Sequence, residues 1–299
     1  MRVAITDSGV GGLSVCAALE AALADIRLHE DLEVLYLNAA LEDDYSYNAM
    51  PTRAEKLHTF GNFLHAALDG YQPDLLFIAC NTLSVMFEDP FYDAFRHQPV
   101  LGIVETGAAE LLQAHNEAPG ADIIVFATET TIESNAYGSR LAAAGVPASG
   151  VVQQACPGLP DAISNDASGA LAERLLKKYV PEALARFDRP PREVIAFLGC
   201  THYGYQATRF ASLLRSRVAD VRVVNPNTAA AAAILANIGA ARTSSEECGR
   251  AAFRVISRYA IPAKPLQSLP IYLGRNAPAT LQALQHFTHR PDLFSGGKG

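Results

Sequence analysis

Short apolar runs about the length of a strand alternate along the chain with longer segments whose apolar residues recur every three or four positions. Residues 3–6, 32–37, 75–79, 100–104, 123–127, 149–153, 194–198 and 221–224 are rich in Val, Ile, Leu, Phe and Ala and mostly lack the polar alternation of a half-exposed strand. Near-continuous apolar content of that kind marks strands buried on both faces of a parallel sheet. Residues 13–23, 53–68, 108–115, 134–144, 171–187 and 228–237 read as helices, from their apolar spacing or their Ala and Leu content. Gly70 and Gly145 follow two of these segments as C-cap glycines. Strand and helix in alternation predict an α/β chain with crossover connections.

At 299 residues, 49% of them hydrophobic, the chain can bury one large core or two ordinary ones. Length and the interruption at Arg96-His97-Gln98-Pro99 favour two domains. No apolar run approaches the roughly 20 residues of a membrane span. Met1-Arg2-Val3-Ala4-Ile5 leads into a glycine-rich turn instead of a signal-peptide apolar region, so a soluble cytoplasmic protein is expected. With 31 acidic against 24 basic residues and a net charge of −7, small molecules or proteins are expected partners and nucleic acid is not. The five cysteines, Cys16, Cys80, Cys156, Cys200 and Cys248, are odd in number and widely spread, which suggests neither disulfides nor a zinc site. Reduced thiols are expected. Residues 229–233 read as helix, and the tail at 295–299 is expected to fray.

In a doubly wound sheet, ligands meet the carboxyl ends of the strands. Asp7-Ser8-Gly9-Val10-Gly11-Gly12 follows the first run, Cys80-Asn81-Thr82 the third, and Gly199-Cys200-Thr201-His202 the run at 194–198. The glycines admit two readings. Backbone amides opening a helix can bind a phosphate or carboxylate, but the spacing is not the dinucleotide pattern and no Gly-Lys-Ser/Thr follows. A tight strand-to-helix turn is the stronger reading. Asp7 adds chemistry, since a carboxylate ending a buried strand can pair with an ammonium or assist a proton transfer. Ser8 is equally an N-cap candidate. Taken singly, Cys80 and Cys200 read as small buried hydrophobes. Two cysteine-led motifs at strand ends, each followed by hydroxyl or amide groups, point instead to thiols facing one cleft, with His202 as the neighbour that sets the Cys200 thiol. His58, His65 and His97 have no comparable context.

The segments Asp7-Ser8-Gly9-Val10-Gly11-Gly12-Leu13-Ser14-Val15, Ala79-Cys80-Asn81-Thr82, Val104-Glu105, Ala127-Thr128-Glu129, Ala155-Cys156-Pro157 and Leu198-Gly199-Cys200-Thr201-His202-Tyr203 form an ordered set. In order and approximate spacing, it resembles the glutamate racemase branch of the aspartate/glutamate racemase family. The resemblance runs from residue 3 to about 225, and residues 269–287 resemble the family's C-terminal strand and helix.

This resemblance implies two similar α/β domains with parallel-type central sheets and an active-site cleft between them. Residues 1–98 plus 208–299 would carry Asp7 and Cys80, and residues 99–207 would carry Cys200 and His202. It implies a two-base amino-acid racemase that uses no cofactor and no metal: one cysteine thiolate removes the α-proton, and the other thiol returns a proton to the opposite face. Asp7 and His202 match auxiliary catalytic positions. Asn81, Thr82 and Thr201 match positions that hold the α-carboxylate, and Ser8, with Asp7, groups near the amino group. Tyr45 and Ser46 align with the family's Tyr-Gly pair, and Thr131 with its Thr after the Ala-Thr-Glu strand. Cys16, Cys156 and Cys248 are expected to pack. The implied partner is an amino-acid substrate, and the family's habit implies a homodimer.

The sequence departs from the family at several points. Residues 41–50 read Leu-Glu-Asp-Asp-Tyr-Ser-Tyr-Asn-Ala-Met in place of Pro-Tyr-Gly-Thr/Asn-Lys-Ser, Asn38 stands where Asp is usual, and Asn225-Pro226 replaces Asp-Ser. Residues 158–164 are shortened and lack the usual Glu, with Asp161 nearby. These changes fall at the side-chain end of the pocket and spare the thiols. Glutamate is therefore the leading expected substrate, with aspartate or another small polar amino acid as the alternative. A binding or regulatory protein on the same scaffold is disfavoured by the presence of both cysteines with Asp7 and His202. A phosphate- or nucleotide-binding module is disfavoured by the missing motifs.

Overall fold

A computed structural model describes residues 1–43, 45, 47–238 and 249–296. Its strands are β1 (Arg2–Asp7), β2 (Leu32–Asn38), β3 (Leu75–Ile78), β4 (Val100–Gly102), β5 (Asp122–Ala127), β6 (Val151–Ala155), β7 (Glu193–Gly199), β8 (Asp220–Val224), β9 (Ala251–Ser257) and β10 (Thr288–His289). They form a six-stranded sheet in the order β10-β9-β2-β1-β3-β4 and a four-stranded sheet in the order β6-β5-β7-β8. Every pairing is parallel. The fold is the expected α/β architecture with two parallel sheets.

Each sheet is covered on both faces, which is why its strands read as continuous apolar runs. On β1, Val3 and Ile5 pack with Leu13, Val15 and Leu19 of the helix Leu13–Leu23 and with Ile234 of the helix Pro226–Asn237. Ala4, between them in sequence, faces Phe60, Phe63 and Leu64 of the helix Arg53–Tyr71. The second sheet repeats the arrangement. Ile124 and Phe126 meet Leu176 and Phe210 on one face, and Ile123 and Val125 meet Leu111 and Tyr137 on the other. Burying each of the Val, Leu, Ile and Phe side chains contributes about 1.5–3 kcal/mol.

Several boundaries differ from the sequence reading. Residues 103 and 104 open the helix Ile103–Glu117 instead of extending β4. Gly70 lies inside its helix, and Gln72 takes the left-handed cap position at φ 45°. Gly145, at φ +83°, does follow its helix as expected. Residues 269–287 hold the end of the helix Ala263–Leu273 and the whole of the helix Pro278–Gln285, while the neighbouring strands are β9 before them and β10 after. Strand pairing puts β4 with the first sheet and β8 with the second. Strand β8 pairs with β7 after the helix Ala207–Arg215.

Candidate active site

The carboxyl ends of β1, β3, β5, β6 and β7 deliver Asp7, Cys80, Thr128, Cys156 and Cys200 to one cavity of about 340 Å³ between the two sheets. The glycines after β1 explain how the sheets come so close. A Cβ on Gly11 would strike the His202 ring and the Thr201 hydroxyl, and one on Gly12 would sit 2.7 Å from the Asp7 Cβ. Gly11 is glycine because residues 201 and 202 pack directly on it, and Gly12 because it abuts Asp7 and Ala79 at the end of the first sheet's strands.

Cys80 precedes the helix Asn81–Phe87, and its Sγ shares a hydrogen bond of 3.1 Å with Ser8 Oγ. Burial pushes its thiol up to about 12, with the Asp7 charge adding to the shift. Cys200 faces the same cavity with Sγ 3.8 Å from His202 Nδ1. Burial holds this thiol well above its ordinary value, and the nearby Cys80 and Asp7 push the same way. Burial also lowers His202 to about 4, so the imidazole is neutral at pH 7. Asp7 is raised to about 7 by burial, against the opposing hydrogen bonds from Thr201 and the amides of Ser8, Gly9 and Gly12. Its Oδ2 accepts from the Thr201 hydroxyl at 2.9 Å, so a hydroxyl of the second unit steadies a carboxylate of the first.

The donors stand beside the thiols. Asn81, 2% exposed, accepts from the Tyr137 hydroxyl at Oδ1, while its Nδ2 is buried without a partner and the residue lines the cavity. Thr82 Oγ1 lies 2.9 Å from Thr128 Oγ1, which in turn lies 3.0 Å from Thr131 Oγ1. Asn227 fixes the far side by donating to the Thr201 carbonyl at 3.0 Å and to Ser14 Oγ at 2.8 Å.

Of the residues singled out in the sequence, Asp7, Ser8, Cys80, Asn81, Thr82, Cys200, Thr201 and His202 line the cavity together. Thr131 is set back behind Thr128. Tyr45 is not among the lining residues, and its hydroxyl donates to Glu55 Oε1 at 2.6 Å. Asn48 lines the cavity from that loop instead, its Oδ1 accepting from Thr130 at 2.7 Å across the two units. Ser46 and Cys248 lie outside the described residues. Asn38 is buried off the cavity, where its Oδ1 accepts from the Ala40 amide at 3.0 Å. Cys16 sits in the first core, and Cys156 is fully buried where the cavity meets the second core.

Glu42, Asp43 and Glu129, which the sequence reading quoted without a role, and Tyr259, which it did not mention, also line the cavity. Tyr259 follows β9, so recognising that strand would have pointed to it. Among the described residues no group of three or more His, Cys, Asp or Glu side chains is placed to hold a metal ion, and no helix is long and apolar enough to cross a membrane.

Residues 8–234 match the model of the family described as Asp/Glu/Hydantoin racemase. The chain is 32% identical over 237 residues to a glutamate racemase of Jannaschia sp. (strain CCS1), covering 73% of this chain and 79% of that one. It is 29% identical over 204 residues to the glutamate racemase of Aquifex aeolicus (strain VF5), covering 68% and 71%. Its fold matches the glutamate racemase of Francisella tularensis subsp. tularensis SCHU S4, solved in complex with D-glutamate. That match has a TM-score of 0.67 and 21% identity, over 91% of this chain and 93% of that one.

Proposed function

Because the chain belongs to the Asp/Glu/Hydantoin racemase family and is an amino-acid racemase, we propose that it inverts a free α-amino acid with Cys80 and Cys200 as its two bases. The observation that carries this reading is the delivery of one thiol from each sheet to a single cavity, each beside its own polar neighbour.

One thiolate takes the α-proton, so that a C–H bond breaks and an S–H bond forms. The opposite thiol then gives its proton to the other face of the carbanion, and the roles exchange for the other enantiomer. The difficult species is the carbanion beside a carboxylate, which preorganised donors stabilise. Asn81 Nδ2 and the hydroxyls of Thr82 and Thr128 are the groups for that carboxylate. Asp7 and Ser8 suit the ammonium. Burial by itself holds both thiols protonated. The ammonium supplies the positive charge that favours a thiolate. Ser8 holds the Cys80 thiol through a hydrogen bond, and Asp7 is a nearby carboxylate poised near neutral pH. Neutral His202 has the free electron pair to take the proton of Cys200.

The relatives' names make glutamate the reference substrate. Incubation with single enantiomers in deuterium oxide, without pyridoxal phosphate, should show α-proton exchange together with loss of optical rotation. The reading fails if no amino acid exchanges, or if Cys80→Ser and Cys200→Ser leave activity unchanged.

A further inference from the structure

The carboxyl edge of the first sheet sets the order in which a bound amino acid meets its groups. The strands run β9-β2-β1-β3 there, and Asp7, Asn38 and Ser257 stand in register across β1, β2 and β9. Asn81 follows β3, Asp7 ends β1, and Tyr259 lies two residues beyond the end of β9. Asn81, Asp7 and Tyr259 all line the cavity. With the α-carboxylate at Asn81 and the α-ammonium at Asp7, the direction left along this edge for the side chain runs past β2 toward β9. Two strand spacings make that span about 10 Å.

Asn38 decides what Tyr259 offers at its end. The residue is fully buried, and its Oδ1 accepts from the Ala40 amide at 3.0 Å. A backbone N–H can only donate, so the Asn38 amide has one orientation, with Nδ2 on the other side. That Nδ2 donates to Ser257 Oγ at 3.3 Å and to the hydroxyl oxygen of Tyr259. An amide NH2 has no lone pair to take the phenolic proton, so Asn38 leaves it for another acceptor. Burial pushes the phenol up to about 12 against the Asn38 hydrogen bond, with Asp43 and Asp7 adding to the rise, so the proton is held at pH 7. An Asp at position 38 would do the opposite and draw the phenolic proton to itself. Tyr45 is turned to Glu55, and among the described residues no Lys or Arg lines the cavity, so the donor that Tyr259 presents is a neutral hydroxyl.

We propose that Tyr259 is a specificity-determining residue whose hydroxyl, set by Asn38, donates to an oxygen at the far end of the substrate side chain. The inference rests on the two-thiol racemase reading and concerns only the end of the substrate remote from Cα. Carboxylate and carboxamide side chains share the required acceptor.

The test is α-proton exchange in deuterium oxide by the full chain, with L-glutamate, L-glutamine, L-aspartate, L-asparagine and L-alanine supplied singly. We expect the best substrate to carry a side-chain oxygen, and the panel tells carboxylate from carboxamide. Tyr259→Phe should raise KM for that substrate about tenfold while kcat changes less, and kcat/KM for alanine should change less still. Asn38→Asp should raise KM by a similar factor, and the double variant should be no worse than the worse single. A KM unmoved by Tyr259→Phe overturns the inference, as does a loss shared equally by alanine or a best substrate without a side-chain oxygen. Additive losses in the double variant overturn the pairing of Asn38 with Tyr259. Each of these results leaves the racemase reading standing. Tyr259→Phe decides alone where Asn38→Asp fails to fold. Silence of the wild type with every amino acid overturns both readings.

Discussion

Tyr137, on the helix Ala136–Ala143 of the second unit, donates its hydroxyl to Oδ1 of Asn81, which follows β3 of the first. One end of the amide is thereby occupied, and its Nδ2 is left for the cavity. Tyr137 touches no reacting atom on this reading and acts by orienting Asn81.

Tyr137→Phe should therefore weaken catalysis without dismantling the core, because the ring still packs on Phe197 at a centroid distance of 4.6 Å. Loss of one hydrogen bond that orients a donor corresponds to about 3- to 10-fold in kcat/KM. Steady-state kinetics should show the loss, with the unfolding midpoint little changed. A variant that unfolds but keeps full activity per folded molecule would show that the contact is structural only.

Asp7 and His202 set opposite pH dependences of stability. Burial raises Asp7 from 3.8 to about 7, so the folded chain holds a proton that the unfolded chain has lost, and stability falls as pH rises through that window. Burial lowers His202 from 6.5 to about 4, so the unfolded chain binds the extra proton, and stability falls as pH drops through that window. Urea unfolding should find Asp7→Asn relatively more favourable at pH 8 than at pH 4. His202→Asn should show the reverse. Parallel pH profiles for wild type and both variants would contradict the two burial effects.

If Asp7 must be ionised to receive a proton, kcat/KM of the wild type should rise with pH to a bend near 7. Asp7→Asn should remove the bend along with most of the activity. A bend that persists in the variant assigns it to another group.

Gly11→Ala tests the contact between the units. The added methyl meets the His202 ring and the Thr201 hydroxyl, and overpacking of that kind costs about 1–3 kcal/mol. Activity should fall further than stability does, since the displaced groups belong to the site. Unaltered kcat and KM would mean that residues 201 and 202 yield freely.

The main strands were legible because they are buried on both faces, and the two thiols because they end such strands. Strand β9 was not, because Ala251 to Arg254 alternate between half-buried and exposed positions, unlike the central strands. With β9 unrecognised, Tyr259 carried no signal. Tyr137 carries no signal in the sequence, since its hydroxyl finds its partner 56 residues away. Glu42 and Glu129 lie in a loop and a short helix, where spacing carries no period. Family resemblance brought forward Tyr45, but the loop turns Asn48 into the cavity and Tyr45 toward Glu55.

One thiol comes from each sheet, and mirror-image substrates have equal free energy, so the equilibrium constant is unity whatever the protein does. Under two-thiol chemistry, damage confined to one sheet must therefore lower kcat/KM by the same factor in both directions. The division between kcat and KM, and not their ratio, can then differ between the two directions according to which half was disturbed. The two halves of the fold can change how tightly each enantiomer is held, but neither can give the reaction a direction.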